Sequence, residues 1–159
     1  MMQYDNTNLP KKGLIVSPIE NGTVIDHLPP GKAIKIAEVL GLMHDSVVII
    51  GQNLKSTKYG KKDLIKVENR FMTESECSKI ALIAPNATVN IIRDFAINEK
   101  RMVEVPDTVE GVALCANANC ITNREKVPAR LHAITKTPLL LVCHYCGFEV
   151  KGDELKLKG

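Results

Sequence analysis

A chain of 159 residues that is 45% apolar and 25% charged, with a net charge of +3, has the composition of a folded protein of one ordinary or two small domains. This excludes a disordered polyelectrolyte, and so small an excess of positive charge does not single out nucleic acid as a partner. Three tyrosines, three phenylalanines and no tryptophan leave little material for a base-stacking platform.

The leader from Met1 to Gly13 is polar and reads as neither a signal peptide nor an anchor. Val47–Ile50 and Leu139–Val142, the longest apolar runs, fall far short of the ~20 residues that span a bilayer. An intracellular, cytoplasmic address with no membrane partner is therefore expected. Asn21-Gly22 suits a tight turn, and the β-branched run Thr23–Leu28 predicts a strand ending near Asp26 and His27. Pro29-Pro30-Gly31 breaks it. Lys32–Leu40 places Ile36, Val39 and Leu40 at helical spacing before Gly41, which suits a left-handed helix end. Val47–Gln52 reads as a buried strand, Lys55–Lys61 as a lysine-rich loop and Asp63–Glu68 as another strand.

Thr73-Glu-Ser-Glu76 forms a capping box for a second helix running to about Ala84, and Pro85 stops it. Thr88–Arg93 resumes β character, and Ala96–Val105 predicts a further strand. The order strand, helix, strand, strand, helix, strand is the split βαβ pattern of a ferredoxin-like fold, an antiparallel sheet with two helices on one face. The fold class is thus α+β, with residues 1–105 as a first domain. Pro106–Gly111 reads as a short connection, and residues 106–159 as a small all-β domain of the zinc-ribbon or rubredoxin type, with short strands between Thr122 and Val142.

Four of the five cysteines come in close pairs, Cys115 with Cys120 and Cys143 with Cys146. Two short thiol loops separated by a span long enough to fold back are the pattern of one four-thiolate metal site, which zinc favours in structural roles and which iron also accepts. A segment of about fifty residues buries too little apolar surface to stand alone, and metal binding supplies the deficit. With sulfur in every position no site is open to substrate. His144, inside the second loop, reads as a surface residue, and Cys77 as a buried core thiol. Phosphate-binding, nucleophile-elbow and His-Glu-x-x-His motifs are absent, and His132 lacks the carboxylate that a zinc deaminase needs two residues on.

The remaining polar candidates lie in the first domain. Lys62 and Lys66 share a strand face ~13 Å apart, a spacing suited to different parts of one elongated anion. Lys100 and Arg101 could add phosphate contacts. Composition leaves open whether these are ligand groups or solvated lysines.

Asn21–His27, Gly60–Glu68, Ala84–Ile92, Cys115–Thr122 and Cys143–Cys146 together resemble the regulatory chain of aspartate carbamoyltransferase, over nearly the whole sequence from about Gly13. The resemblance implies a noncatalytic subunit acting in pyrimidine biosynthesis. Its allosteric domain would bind ATP and CTP, with UTP a further candidate, and pair as a homodimer. Its domain holding one structural Zn2+ would dock on the catalytic chain. By position, Asp26, Lys66 and Lys100 match the principal nucleotide contacts, with Lys100 on the phosphates. Val16, Ile19, Val24, His27, Lys62, Asn90, Ile92 and Ile97 match the lining of the same pocket. Asn117, Asn119 and Tyr145 fall where the family meets its catalytic subunit. Pro18, without a backbone N–H, departs from the family's pattern, and Phe95 stands where it can carry tyrosine. The alternative is a free-standing zinc-ribbon nucleic-acid-binding protein, suggested by the lysines from Lys55 to Lys66. The near-balanced charge and few aromatics argue for a chain that binds no nucleic acid.

Overall fold

The structure, a computed structural model, describes residues 17–44 and 46–158. Its N-terminal half is a five-stranded antiparallel sheet of β1 (Gly22–Leu28), β2 (Val48–Ser56), β3 (Gly60–Glu68), β4 (Thr88–Arg93) and β5 (Ala96–Met102). The spatial order is β2-β3-β1-β4-β5. The first four strands reproduce the ferredoxin-like arrangement, and β5 extends it at one edge. Helices α1 (Ala33–Val39) and α2 (Glu74–Ile83) follow β1 and β3.

Alternation along each strand divides the sheet into two faces. Ile25 lies opposite both Ile65 and Val89, and all three are buried with Ile36 and Ala37 of α1 and Ile80 and Ala81 of α2. Local sequence explains where the helices end. Gly41 (φ 63°) donates to the Glu38 carbonyl and Leu42 to that of Ala37, the paired bonds of a Schellman ending. The α2 capping box is complete: the Glu76 N–H donates to the Thr73 hydroxyl and the Thr73 N–H to the Glu76 carboxylate.

Several expectations change. β2 is an edge strand, only half-buried, and runs on to Ser56, so the predicted lysine-rich loop shrinks to the turn 57–59 between β2 and β3. A strand's place in the sheet depends on its partners, which its own residues do not encode. The predicted strand from Ala96 ends at Met102, and Val103 and Val105 are buried in the chain that follows.

The C-terminal part is a four-stranded antiparallel sheet ordered β10-β9-β8-β6. Its strands are β6 (Thr108–Glu110), β8 (Arg130–Lys136), β9 (Leu139–Cys143) and β10 (Glu149–Lys151). A small ladder joins β7 (Ala113–Leu114) to β11 (Lys156–Leu157). The predicted connection at Pro106–Gly111 therefore contains a strand. Thr122 sits not in a strand but in the one-turn helix α3 (Ile121–Arg124), which begins as soon as Cys120 leaves the first thiol loop. Val109, Leu131, Leu141 and Val150 are buried between these elements, and their core is continuous with that of the larger sheet.

Candidate functional site

Two sites emerge, one on each sheet. Cys115 directly follows β7, Cys120 precedes α3, Cys143 ends β9 and Cys146 lies in the turn before β10. These placements bring four sulfurs within 4.8 Å of one another, with Cys115 to Cys146 at 3.6 Å and Cys120 to Cys143 at 3.8 Å. Thiolates bound ~2.3 Å from a tetrahedral metal stand ~3.8 Å apart, so the donor set and its spacing fit such an ion.

The loops are held from outside the metal sphere. The Asn123 side-chain amide donates to the carbonyls of Cys115 and Asn117, both at 2.8 Å, and the Thr122 hydroxyl donates to the Cys120 sulfur at 3.2 Å. Gly147 (φ 72°) turns the second loop, and its N–H donates to the Cys143 carbonyl. Neither Asn123 nor Thr122 was predicted as part of the site. Ser, Thr and Asn just past a thiol are the signal that could have found them.

Burial pushes the Cys115 and Cys143 thiols up. Burial also acts upward on Cys146, but the Phe148 N–H, Asn117 and the neighbouring thiols outweigh it and bring Cys146 down to about 7. Because a metal binds thiolates, loading displaces the protons of the raised thiols. Loading at neutral pH is expected to release about two protons or more, so affinity should already fall as pH drops toward neutrality and fall more steeply below about 7, where Cys146 also takes up a proton. Calorimetry in buffers of different ionisation heat measures this, and loading without proton release would contradict it. Asn117, half-buried, and Asn119 and Tyr145, exposed, are displayed on these two loops.

The second site is the sheet face away from the helices. Register places Lys66 on β3, Val24 on β1, Asn90 on β4 and Lys100 on β5 in one row, because each stands directly opposite the next. Ile92 and Ile97 form a neighbouring pair on the same face. Two residues along β1 from Val24, on the side of the row away from Ile92, a bulge between Ile25 and Leu28 turns both Asp26 and His27 toward this face. Asp26 accepts from Lys62 at 2.8 Å and from the His27 N–H at 2.7 Å, and the His27 ring Nδ1 lies 2.9 Å from the Thr88 hydroxyl. Ile19 is buried in the segment preceding β1. Val16 lies outside the described residues. Thr88 was not anticipated, although its position two residues before Asn90 was enough to place it on this face.

The row carries cations and an unsatisfied acceptor. The Lys66 ammonium reaches the Ser17 carbonyl at 2.9 Å, and burial lowers its pKa while Asp26 acts in the opposite sense. Lys100 makes no ion pair with any described residue. Asn90 is 8% exposed, and its side-chain oxygen is buried without a hydrogen-bond partner among the described residues. Native structures rarely leave such an atom unsatisfied without a functional reason. These groups are the chemical complement of an elongated anion bearing a hydrogen-bond donor.

Two family models match the chain. Residues 14–104 match "Aspartate carbamoyltransferase regulatory chain, allosteric domain", and residues 107–156 match the metal binding domain of the same chain. Among curated relatives, the aspartate carbamoyltransferase regulatory chain of Thermococcus sibiricus is 54% identical over 135 residues, covering 85% of this chain and 90% of that one. The same subunit of Pyrococcus abyssi is 50% identical over 145 residues, covering 89% and 95%. That of Korarchaeum cryptofilum is 44% identical over 149 residues, covering 91% and 95%.

Proposed function

This chain belongs to the family of aspartate carbamoyltransferase regulatory chains, a noncatalytic subunit of a pyrimidine-pathway enzyme, and on that premise we propose that it senses ATP and CTP through the open face of its larger sheet. The observation that carries this reading is the cross-strand row from Lys66 to Lys100 with the unsatisfied Asn90 oxygen at its centre. Lys100 takes the phosphates. Asp26 and Lys66 take the ribose and base region. Val24, Ile92, Ile97 and Ile19 supply apolar lining, and Lys62 and His27 close the near end. UTP shares the chemistry of this set. Triphosphate and base can be read in this way without any machinery for phosphoryl transfer.

Residues 1–105 form the allosteric domain in this reading and pair with a second copy. Residues 106–159 hold Zn2+ and dock on the catalytic chain through Asn117, Asn119 and Tyr145. With four thiolate ligands the ion serves as a cross-link, and it would make the loops rigid enough to act as a docking surface. Nucleotide binding becomes regulation where the effector binds one quaternary state better than another, and the continuous core between the two sheets offers a physical connection for that difference. The setting is cytoplasmic, in keeping with a biosynthetic subunit in which no described helix is long and apolar enough to cross a membrane.

The test is to titrate zinc-loaded chain with ATP and CTP by calorimetry, then to add catalytic chains and follow assembly and activity. Lys100→Met is expected to weaken both nucleotides by roughly 10–100-fold, the worth of one charge-assisted contact, and to reduce the salt dependence of binding. Wild-type chain that binds neither nucleotide would defeat the reading.

A further inference from the structure

Directly beneath Lys62, on the opposite face of β3, lies Asp63, a carboxylate with no exposed surface and no cationic partner among the described residues. Its charge is met by three backbone N–H groups. Oδ2 accepts from Gly31 at 2.8 Å and Ala33 at 3.2 Å, and Oδ1 accepts from Asn53 at 3.0 Å. Burying an ionised carboxylate is costly unless donors converge on it, so the fold must hold all three N–H groups in place.

These donors belong to the segments that shape one end of the effector face. Gly31 lies in the loop from β1 into α1 and Ala33 is the first residue of α1, three and five residues past Leu28, which pairs with Asp63 at the end of the β1 bulge. That bulge carries Asp26 and His27, the latter at φ 58°. Asn53, at φ 56°, lies in a second bulge, in β2 between Gly51 and Leu54, and Leu54 pairs with Lys62. Both neighbours of β3 are therefore irregular at the level of the Asp26–Lys62 ion pair, and the same carboxylate holds Asn53 inside the β2 bulge and the connection into α1 that leaves the β1 bulge. A left-handed backbone at His27 and Asn53 is unfavourable for residues with a Cβ and persists where surrounding bonds over-determine it.

We propose that Asp63 is the positioning residue of the effector site: from the helix side it clamps the β2 bulge and the connection that follows the β1 bulge, and so sets where Asp26, His27 and Lys62 meet the nucleoside end of the ligand. The proposal rests on the effector-binding reading above. Asp63 touches no ligand itself. An Asn side chain in its place keeps the shape but offers N–H groups where one set of backbone donors already points, so it can satisfy the Gly31 and Ala33 pair or Asn53 but not both.

Two experiments test this on the zinc-loaded full-length chain. In the wild type, saturating ATP is expected to slow hydrogen exchange at the amides of Gly31, Ala33 and Asn53, although all three face away from the ligand. ATP binding that leaves their exchange unchanged overturns the proposal, and this measurement needs no variant to fold. Asp63→Asn is expected to weaken ATP by about tenfold, the effect of displacing one charge-assisted contact, and to leave inorganic tripolyphosphate, which engages the Lys100 end, unaffected. In combination with Lys62→Met the loss should be less than additive, because both changes act on the same ion pair. Equal losses for ATP and tripolyphosphate, or strict additivity with Lys62→Met, would mark a merely structural role and overturn the assignment. Wild-type chain that does not bind ATP defeats the functional reading instead, which keeps the two failures apart.

Discussion

Serine in place of Cys143 is expected to strip the metal from the chain, unfold the C-terminal sheet and abolish association with catalytic chains. Cys143 is 3% exposed and ends β9, the strand that pairs with both β8 and β10, so its loss reaches the centre of that sheet. Magnitudes decide the severity. Metal binding to comparable small sites is worth ~10–16 kcal/mol, at least as much as the ~5–15 kcal/mol net stability of a whole domain. The apolar side chains buried here, Val109, Leu131, Leu141, Val150 and Leu155, cannot replace it.

ATP affinity in the same variant is expected to stay within about threefold of the wild type, because the effector face shares no residue with the thiol loops. The separation is thermodynamic and incomplete. The core is continuous, and α2 packs against the turn Gly152–Glu154, so the larger sheet should melt at a lower temperature once its neighbour is unfolded. Metal content, calorimetric ATP binding and assembly size measured on one sample check all three parts. Loss of ATP binding together with the metal would show that the two sites are not separable.

Asn90→Leu is expected to move stability and binding in opposite directions. The buried, unpartnered oxygen of Asn90 costs the ligand-free chain ~1–3 kcal/mol, and a side chain of similar volume without polar atoms removes that cost. The substitution should therefore raise the unfolding midpoint of the ligand-free chain. It should also weaken ATP and CTP by at least about tenfold, because the ligand's donor then meets an apolar group. Thermal melts with and without nucleotide give both numbers. A variant that is less stable and binds normally would mean that Asn90 serves packing and not the ligand.

Legibility differed sharply between the two sites. Each thiol pair is local in sequence, and with so few residues between its members the chain has little choice but to bring their sulfurs together. Asn117, Asn119 and Tyr145, singled out by the family resemblance, lie between the paired cysteines and so sit on the same two loops. The helix ends were equally readable, since Gly41 and the Thr73 capping box act within one turn. On the effector face, Lys62 and Lys66 could be assigned to one side of a strand from the period of two alone. That Lys66, Val24, Asn90 and Lys100 form a row could not, because their alignment depends on the register of three strand pairs far apart in sequence. The edge position of β2, the strand at Thr108–Glu110 and the helical turn at Thr122 were missed for the same reason: each is decided by a distant partner or by the metal loop next to it.

By itself, then, the amino-acid sequence determined the order of elements through β4, the four-cysteine cluster and the family, all of which rest on residue types at short, fixed separations. Only the tertiary structure decided which face of the sheet is polar, that the Asn90 oxygen finds no partner among the described residues, and that Asp63 gathers N–H groups from the β2 bulge and from the connection after β1. Those are consequences of long-range strand register and burial. A one-residue slip in that register would turn every one of these side chains to the other face.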